Sequence, residues 1–139
     1  MRMTPGKTML ATGLLHQTVG FLAGFGVLSP GSGPARNLFA EIARDGVVGA
    51  VEPDPQRQTF FWFLFFGFLI LSLGWLMDRL ETAEQPLPAA LGWQLLAIAL
   101  AGGLLIPASG FWLVVPQGAW VLWRARRAKG ALSTPSVPA

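Results

Sequence analysis

The sequence has no cysteine, no tyrosine, a single histidine and few charged residues. The absence of cysteine excludes a disulfide scaffold and a thiolate metal site. Charged residues make up 12% of the 139 residues, about half the share of a soluble domain, whereas 53% are hydrophobic. A chain of this length has too little interior to bury so many Leu, Phe and Trp side chains. The composition therefore excludes a soluble enzyme and a disordered chain, and it predicts an integral membrane protein.

Four apolar runs approach the length of about 20 residues with which a helix crosses a bilayer. None contains Asp, Glu, Lys or Arg, and each is continuous rather than alternating, which favours helices over strands. The predicted spans cover residues 9–28, 59–77, 89–106 and 108–123. We interpret the first as a span rather than a signal peptide, because its apolar run is long and lacks a clean A-x-A site after it.

The predicted fold is an all-α bundle of four transmembrane helices in one domain, residues 1–129, with a flexible tail over residues 130–139. With four spans, Lys and Arg are more numerous on the side that carries both termini and the loop between spans two and three. The positive-inside rule therefore predicts that both termini are cytoplasmic.

The longest segment outside the predicted spans joins the first two. It opens with the turn-forming run at 29–34, and Asn37 is then placed to cap a helix. The apolar spacing after Asn37 predicts a short amphipathic helix that lies on the outer face or dips into it.

Several motifs resemble a family of small bacterial four-helix membrane proteins of unknown function. They are Gly13-Leu-Leu-His16 with Gly20, Arg57 with Phe61-Trp62-Phe63, Leu91-Gly92-Trp93, and the turn Pro107-Ala-Ser-Gly-Phe-Trp-Leu113 with Pro116. The resemblance covers roughly residues 8–122, and the turn is its most specific part. It implies a four-span fold in a bacterial membrane, here the inner membrane, and it implies no reaction or site.

His16 is the first candidate for chemistry. At 1.5 Å per residue it lies about 13 Å past Lys7, near the middle of the membrane, where an ionisable residue suggests function. Gly20 and Gly24 give its helix face a small surface for close helix packing, whereas Gln17 should leave on another face. Three alternatives are open: a hydrogen bond from His16 to Gln117, acid/base catalysis on a lipophilic substrate, or, less favoured, axial ligation of haem. Pro116 should free the Trp112 carbonyl to accept a bond from elsewhere.

The charged residues of the outer segment are the second candidate. They are Glu41, Arg44, Asp45, Glu52, Asp54 and Arg57. They are either a solvated face with weak ion pairs or the lining of a pocket mouth. In the second case Arg44 would orient a carboxylate, while an apolar boundary would raise the pKa of Asp45, Glu52 or Asp54 so that it could act as an acid. Trp62 and Trp112 would line the cavity, unless they only anchor the helices in lipid.

The sequence leaves three functions open. The first is a membrane enzyme without a cofactor or metal, such as an isomerase, a cyclase or an epoxide-opening enzyme, whose pocket takes a lipophilic molecule. Its catalytic candidates are His16, Glu41, Arg44, Asp45, Glu52 and Asp54, and its ligand-binding candidates are Arg57, Trp62, Trp112 and Gln117. The second is a non-catalytic membrane subunit, and the third a small proton-coupled exporter. A homo-oligomer is possible, and the basic tail lacks the aromatic residues that nucleic-acid binding needs.

Overall fold

The structure is a computed structural model that describes residues 3–28 and 33–132. These residues form five α helices, one 3₁₀ turn and no strand, which confirms the all-α prediction. The helices are α1 (Pro5–Gly24), α2 (Leu38–Val51), α3 (Pro55–Thr82), α4 (Ala89–Leu105) and α5 (Val114–Leu132), and the 3₁₀ turn at Gly110–Leu113 precedes α5. Most of the predicted turn at 29–34 and residues 133–139 of the predicted tail lie outside the described residues.

Helix α3 is, among the described helices, the one that is long and apolar enough to cross a membrane. It has 28 residues, and only 22% of its most apolar stretch is buried within the protein. Helix α4 is apolar but has 17 residues, and α5 continues past Trp123 through a basic segment to Leu132. The spans predicted outside α3 therefore remain predictions. Helix α5 continues to Leu132, two residues past the start of the predicted tail at residue 130.

The chain folds into two compact units, whose boundaries fall inside α1 and α3. The first unit comprises residues 1–12 and 72–139. In it the start of α1 touches the end of α3 backbone to backbone, since Gly6 lies against Asp78 and Gly74 against Leu10. Helices α4 and α5 form an antiparallel pair in which Gly92 and Gly118 allow close approach.

The N-terminus of α1 is capped from two directions. The Thr4 hydroxyl accepts the Lys7 N–H at 3.4 Å, and Pro5 occupies the first helical position, where its missing N–H costs nothing. The Glu81 carboxylate of α3 accepts the Gly6 N–H at 2.8 Å. A carboxylate at this end of a helix also interacts favourably with the helix dipole.

The second unit comprises residues 13–71. Its part of α1 packs against α3 through the small face predicted from the sequence, since Gly20 lies against Phe63 and Gly24 against Phe60. Helix α2 covers a small core made by Ala35, Leu38, Ala50 and Phe60. The predicted amphipathic helix is thus present.

Two details of these helices differ from the predictions. Asn37 makes no side-chain cap and instead adopts the left-handed conformation, while α2 is broken at Gly46, which has a φ of 73° that glycine tolerates best. Pro116 lies in the first turn of α5, directly after the 3₁₀ turn that contains Trp112, where its missing N–H costs little. The expectation that the Trp112 carbonyl accepts a bond from elsewhere stays a prediction.

Candidate functional site

Arg57 is the centre of the charged group in the second unit. Its guanidinium forms an ion pair with Glu41 and donates hydrogen bonds to the carbonyl oxygens of Ala50 at 2.8 Å and Pro34 at 3.1 Å. Asp54 lies 3.4 Å from the same guanidinium, and its carboxylate also accepts the Gln56 N–H at the start of α3. The Arg57 side chain is only 13% exposed, so one arginine fastens both ends of α2 to the start of α3.

Two of the outer carboxylates, those of Glu41 and Asp45, are held as ions rather than as acids. The hydrogen bond from Arg57 keeps the pKa of Glu41 below its ordinary value of 4.5. Arg44 does not orient Glu41 but binds its neighbour Asp45 at 2.7 Å, and this hydrogen bond lowers the pKa of Asp45. The predicted rise in the pKa of Asp45 is therefore wrong, because a guanidinium rather than an apolar boundary lies beside it.

Glu52 has no ion pair or side-chain hydrogen bond within residues 3–28 and 33–132, while its backbone carbonyl accepts a hydrogen bond from Gln58. Trp62 is the most exposed tryptophan, at 74%, and its nearest described ring contact is Phe65 at 6.4 Å. Neither residue touches the Arg57 group through a described bond. The structure therefore joins Glu41, Asp54 and Arg57 and leaves Glu52 and Trp62 outside that group.

His16 is fixed by α3 rather than by Gln117. Its ring stacks on Phe63 with centroids 3.7 Å apart, and its Nε2 lies 2.9 Å from the Phe63 carbonyl oxygen. Since a carbonyl only accepts, Nε2 carries the proton of the bond, and in a neutral imidazole Nδ1 then carries the lone pair. The residue one turn later in α3 is Gly67, whose missing Cβ leaves room for the imidazole.

Gln17 lies over the same glycine. A Cβ on Gly67 would be 2.4 Å from Oε1 of Gln17 and 2.8 Å from Cδ2 of His16, so the two side chains share one notch in α3. Gln17 is 7% exposed, and both polar atoms of its amide are buried without a hydrogen-bond partner in the described part of the chain. The prediction that Gln17 leaves on another face is wrong. The cue in the sequence is a single glycine inside the aromatic run of α3 that also holds Phe63.

Gln117 and Trp112 belong to the first unit. Nε2 of Gln117 donates to the Thr12 hydroxyl at 2.7 Å and to the Leu113 carbonyl at 2.9 Å, and Nε1 of Trp112 donates to the Pro107 carbonyl at 3.0 Å. Of the three alternatives for His16, the hydrogen bond to Gln117 is not the one that either side chain makes within its own unit: Nε2 of His16 bonds to Phe63, and the Gln117 amide donates to Thr12 and Leu113. Gln117 and Trp112 join helices and order a turn in their own unit.

One polar feature of the first unit was not predicted from the sequence. The Glu81 side chain is 6% exposed, and it pairs with Arg124 of α5 while it caps α1 through Gly6. The pair borders an open groove of about 490 Å³ between the end of α3 and α5. The other lining residues are Glu84, Gln85, Pro86, Leu87 and Ala128. Glu81 and Arg124 are 43 positions apart, and no local pattern in the sequence predicts that they meet, so the contact is seen only in the structure.

Comparison with known proteins places the chain in a family. The model of DUF6463, described as a family of unknown function, matches residues 1–128. No curated protein and no solved structure matches the chain. The match covers nearly the whole sequence, and it agrees with the expected membership of an uncharacterised family, whereas the bacterial membrane location stays a prediction. The chain belongs to the DUF6463 family.

Proposed function

We propose that this chain is an integral membrane protein that binds a lipophilic small molecule through Gln17 and His16. The observation that carries the proposal is the Gln17 amide, which is buried with neither polar atom bonded in the described residues. A buried polar group without a partner costs about 1–3 kcal/mol. A ligand that hydrogen-bonds to the amide removes this cost when it binds. The rest of that ligand should be apolar, because the helices around the amide are apolar.

The membrane location is supported by the apolar surface of α3. Three large apolar side chains of α3 are mostly exposed, namely Trp62 at 74%, Phe65 at 58% and Leu69 at 66%. Such an apolar surface is stable against acyl chains and unfavourable against water. We propose that the remaining predicted spans, residues 9–28, 89–106 and 108–123, cross the same bilayer. In this arrangement both termini lie in the cytoplasm of a bacterial cell, as the Lys and Arg distribution predicts.

The donor and acceptor pattern of the site specifies the ligand class. The amide offers a donor and an acceptor, and Nδ1 of a neutral His16 offers an acceptor because Nε2 is bonded to Phe63. The best match is a long-chain or cyclic molecule that carries a carbonyl or a hydroxyl group. In such a complex Nδ1 could take a proton from one carbon beside a carbonyl and return it to another, which is an isomerisation without a cofactor.

The ion pairs of Glu41 and Asp45 favour His16 over the outer carboxylates as the acid/base group. A cyclase or epoxide-opening enzyme needs a neutral acid at the start of its reaction, and both carboxyls have lowered pKa values. The bond of His16 Nε2 to the Phe63 carbonyl also occupies the nitrogen that would most simply ligate haem. We therefore expect that the purified protein shows no Soret band in its visible spectrum.

A non-catalytic membrane subunit is the second candidate. It is favoured by the bonds of Arg57, whose guanidinium binds Glu41, Ala50 and Pro34. These bonds give Arg57 a structural role in holding α2 and α3 together rather than a role in binding a ligand. In that case the partner of the Gln17 amide would be a helix of another chain, including a second copy of this one. The two candidates differ in what accompanies the purified protein, a small molecule or a protein.

The substitution Gln17→Met tests the proposal, because the proposed site predicts whether the ligand-free protein becomes more or less stable. Gln17→Met keeps the length of the side chain and removes the unbonded amide, so the ligand-free protein should become more stable by about 1–3 kcal/mol. The measurement is a thermal or detergent denaturation curve, together with mass spectrometry of the organic extract of the purified protein. The lipophilic molecule should be found with the wild type and be lost from the variant.

The matched control is Gln94→Met, which makes the same chemical change at an exposed position of α4. It should alter neither stability nor the extract. Both proteins are therefore compared after the bound molecule has been extracted, since a bound ligand would itself stabilise the wild type. A ligand-free Gln17→Met protein that is less stable than the ligand-free wild type, or a purified variant that retains the same molecule, contradicts the proposed site. A second polypeptide that is lost from the variant instead of a small molecule would support the subunit.

A further inference from the structure

Two arginines in the first unit each lie on the face of a tryptophan one helical turn earlier. The Cζ of Arg127 is 3.9 Å from the ring centroid of Trp123 in α5, and the Cζ of Arg79 is 5.3 Å from that of Trp75 in α3. Both indoles are about half exposed, at 49% and 56%. The attraction between cation and ring restrains each guanidinium beside its indole without using the N–H groups as hydrogen-bond donors.

These two arginines differ from the three described arginines that form ion pairs. Arg44, Arg57 and Arg124 each form an ion pair with a carboxylate, whereas Arg79 and Arg127 have none within the described residues. An arginine fork without a carboxylate is a receptor for a planar or tetrahedral oxyanion, above all for phosphate. Both forks are therefore open to an anion from outside the chain.

The two Trp–Arg stacks lie at neighbouring helix ends. The ion pair of Glu81 with Arg124 joins the end of α3, two residues after Arg79, to α5, one residue after Trp123. Basic residues outnumber acidic ones around them. The basic ones are Arg79, Arg124, Arg126, Arg127 and Lys129, and the acidic ones are Asp78, Glu81 and Glu84. Tryptophan is the residue that concentrates at the membrane–water interface, where lipid phosphates lie.

We propose that Arg79 and Arg127 bind the phosphate groups of anionic phospholipids at this end of α3 and α5. The proposal rests on the membrane location proposed above, but not on the Gln17 site. The indole of each stack lies among the glycerol and carbonyl groups of the lipid, and the guanidinium on its face reaches the phosphate. The positive surplus at these helix ends selects phosphatidylglycerol over phosphatidylcholine, whose headgroup has no net charge.

The test titrates the full-length protein, purified in a nonionic detergent, with phosphatidylglycerol and separately with phosphatidylcholine, and it measures bound lipid by native mass spectrometry. The wild type should prefer phosphatidylglycerol. The double variant Arg79→Gln/Arg127→Gln should bind it roughly thirty-fold more weakly, since each arginine near a lipid surface contributes about a factor of five. Arg36→Gln, which removes an exposed arginine from the second unit, should leave the preference intact.

Equal binding of the two lipids by the wild type, or an unchanged preference in the double variant, overturns the proposal. A third arm adds inorganic phosphate as a competitor. If it displaces the lipid at equal concentration, the forks bind free phosphate and the lipid assignment is wrong. Lipid binding in detergent depends neither on the predicted topology nor on the Gln17 site. A wrong topology or a wrong Gln17 site would therefore leave this result unchanged, and the failures can be distinguished.

Discussion

Replacing Arg57 with glutamine should lower the melting temperature of the protein by several degrees. The side chain is 13% exposed, and its loss leaves the Glu41 carboxylate and the carbonyl oxygens of Pro34 and Ala50 without their donor. A partly buried carboxylate that loses its ion-pair partner is costly, because water replaces the guanidinium incompletely. Denaturation curves of Arg57→Gln and the wild type measure the difference.

The matched comparison is Arg44→Gln, which breaks a bidentate but exposed ion pair with Asp45. Exposed pairs contribute about 0–1 kcal/mol, so this variant should be nearly as stable as the wild type.

The Arg57 pair should also respond to acid. Because the pKa of Glu41 is lowered, the stabilisation is complete above about 4.5 and is lost as the pH falls below that value through the pKa of the folded state. Equal effects of the two glutamine substitutions would contradict the central role of Arg57.

Replacing Gly6 with alanine should destabilise the protein by about 3–5 kcal/mol, although alanine normally stabilises a helix by about 1 kcal/mol. The new Cβ would lie 2.3 Å from the backbone nitrogen of Asp78 and 2.8 Å from the carbonyl carbon of Met77. Backbone atoms of α3 cannot rotate away as a side chain can. The start of α1 must therefore move, and the bond from the Gly6 N–H to Glu81 breaks with it.

Gly110→Ala is the control for this substitution, because a Cβ built on Gly110 meets no atom within 4 Å in the described part of the chain, its own chain neighbours aside. That variant should match the wild type in its melting temperature, whereas Gly6→Ala should unfold many degrees lower. A Gly6→Ala protein of wild-type stability would show that α1 and α3 do not touch backbone to backbone in the first unit.

The sequence predicted the helices because their apolar runs and their turns are local features. The all-α class, the helix after Asn37 and the small face of α1 at Gly20 and Gly24 all derive from spacing within one segment, and the structure confirms them. The number of membrane spans is different, because among the described helices α3 alone is both long enough and apolar enough to cross a membrane. The end of a helix depends on the residues beyond its apolar run, and the basic extension of α5 is an example.

The partners of polar side chains could not be predicted, because they depend on which helices meet and in what register. His16 was assigned to Gln117 from its expected depth, yet the Phe63 carbonyl lies in reach because Gly67 opens a notch in α3. Arg57 was expected at the mouth of a pocket, and it instead binds Glu41 across sixteen residues of chain. Spacing identifies which groups are unusual, whereas only the packing decides what they touch.

The location of α3 in a bilayer is the claim on which the proposed functions depend, and cysteine accessibility tests it most directly. The chain has no cysteine, so Gln56→Cys, Leu69→Cys and Gln85→Cys each introduce one reactive thiol. With a membrane-impermeant maleimide, the thiol at 56 should react in intact cells, the thiol at 85 only after the membrane is opened, and the thiol at 69 in neither case. Reaction of all three from one side, or ready labelling at 69 without detergent, would contradict a membrane-spanning α3.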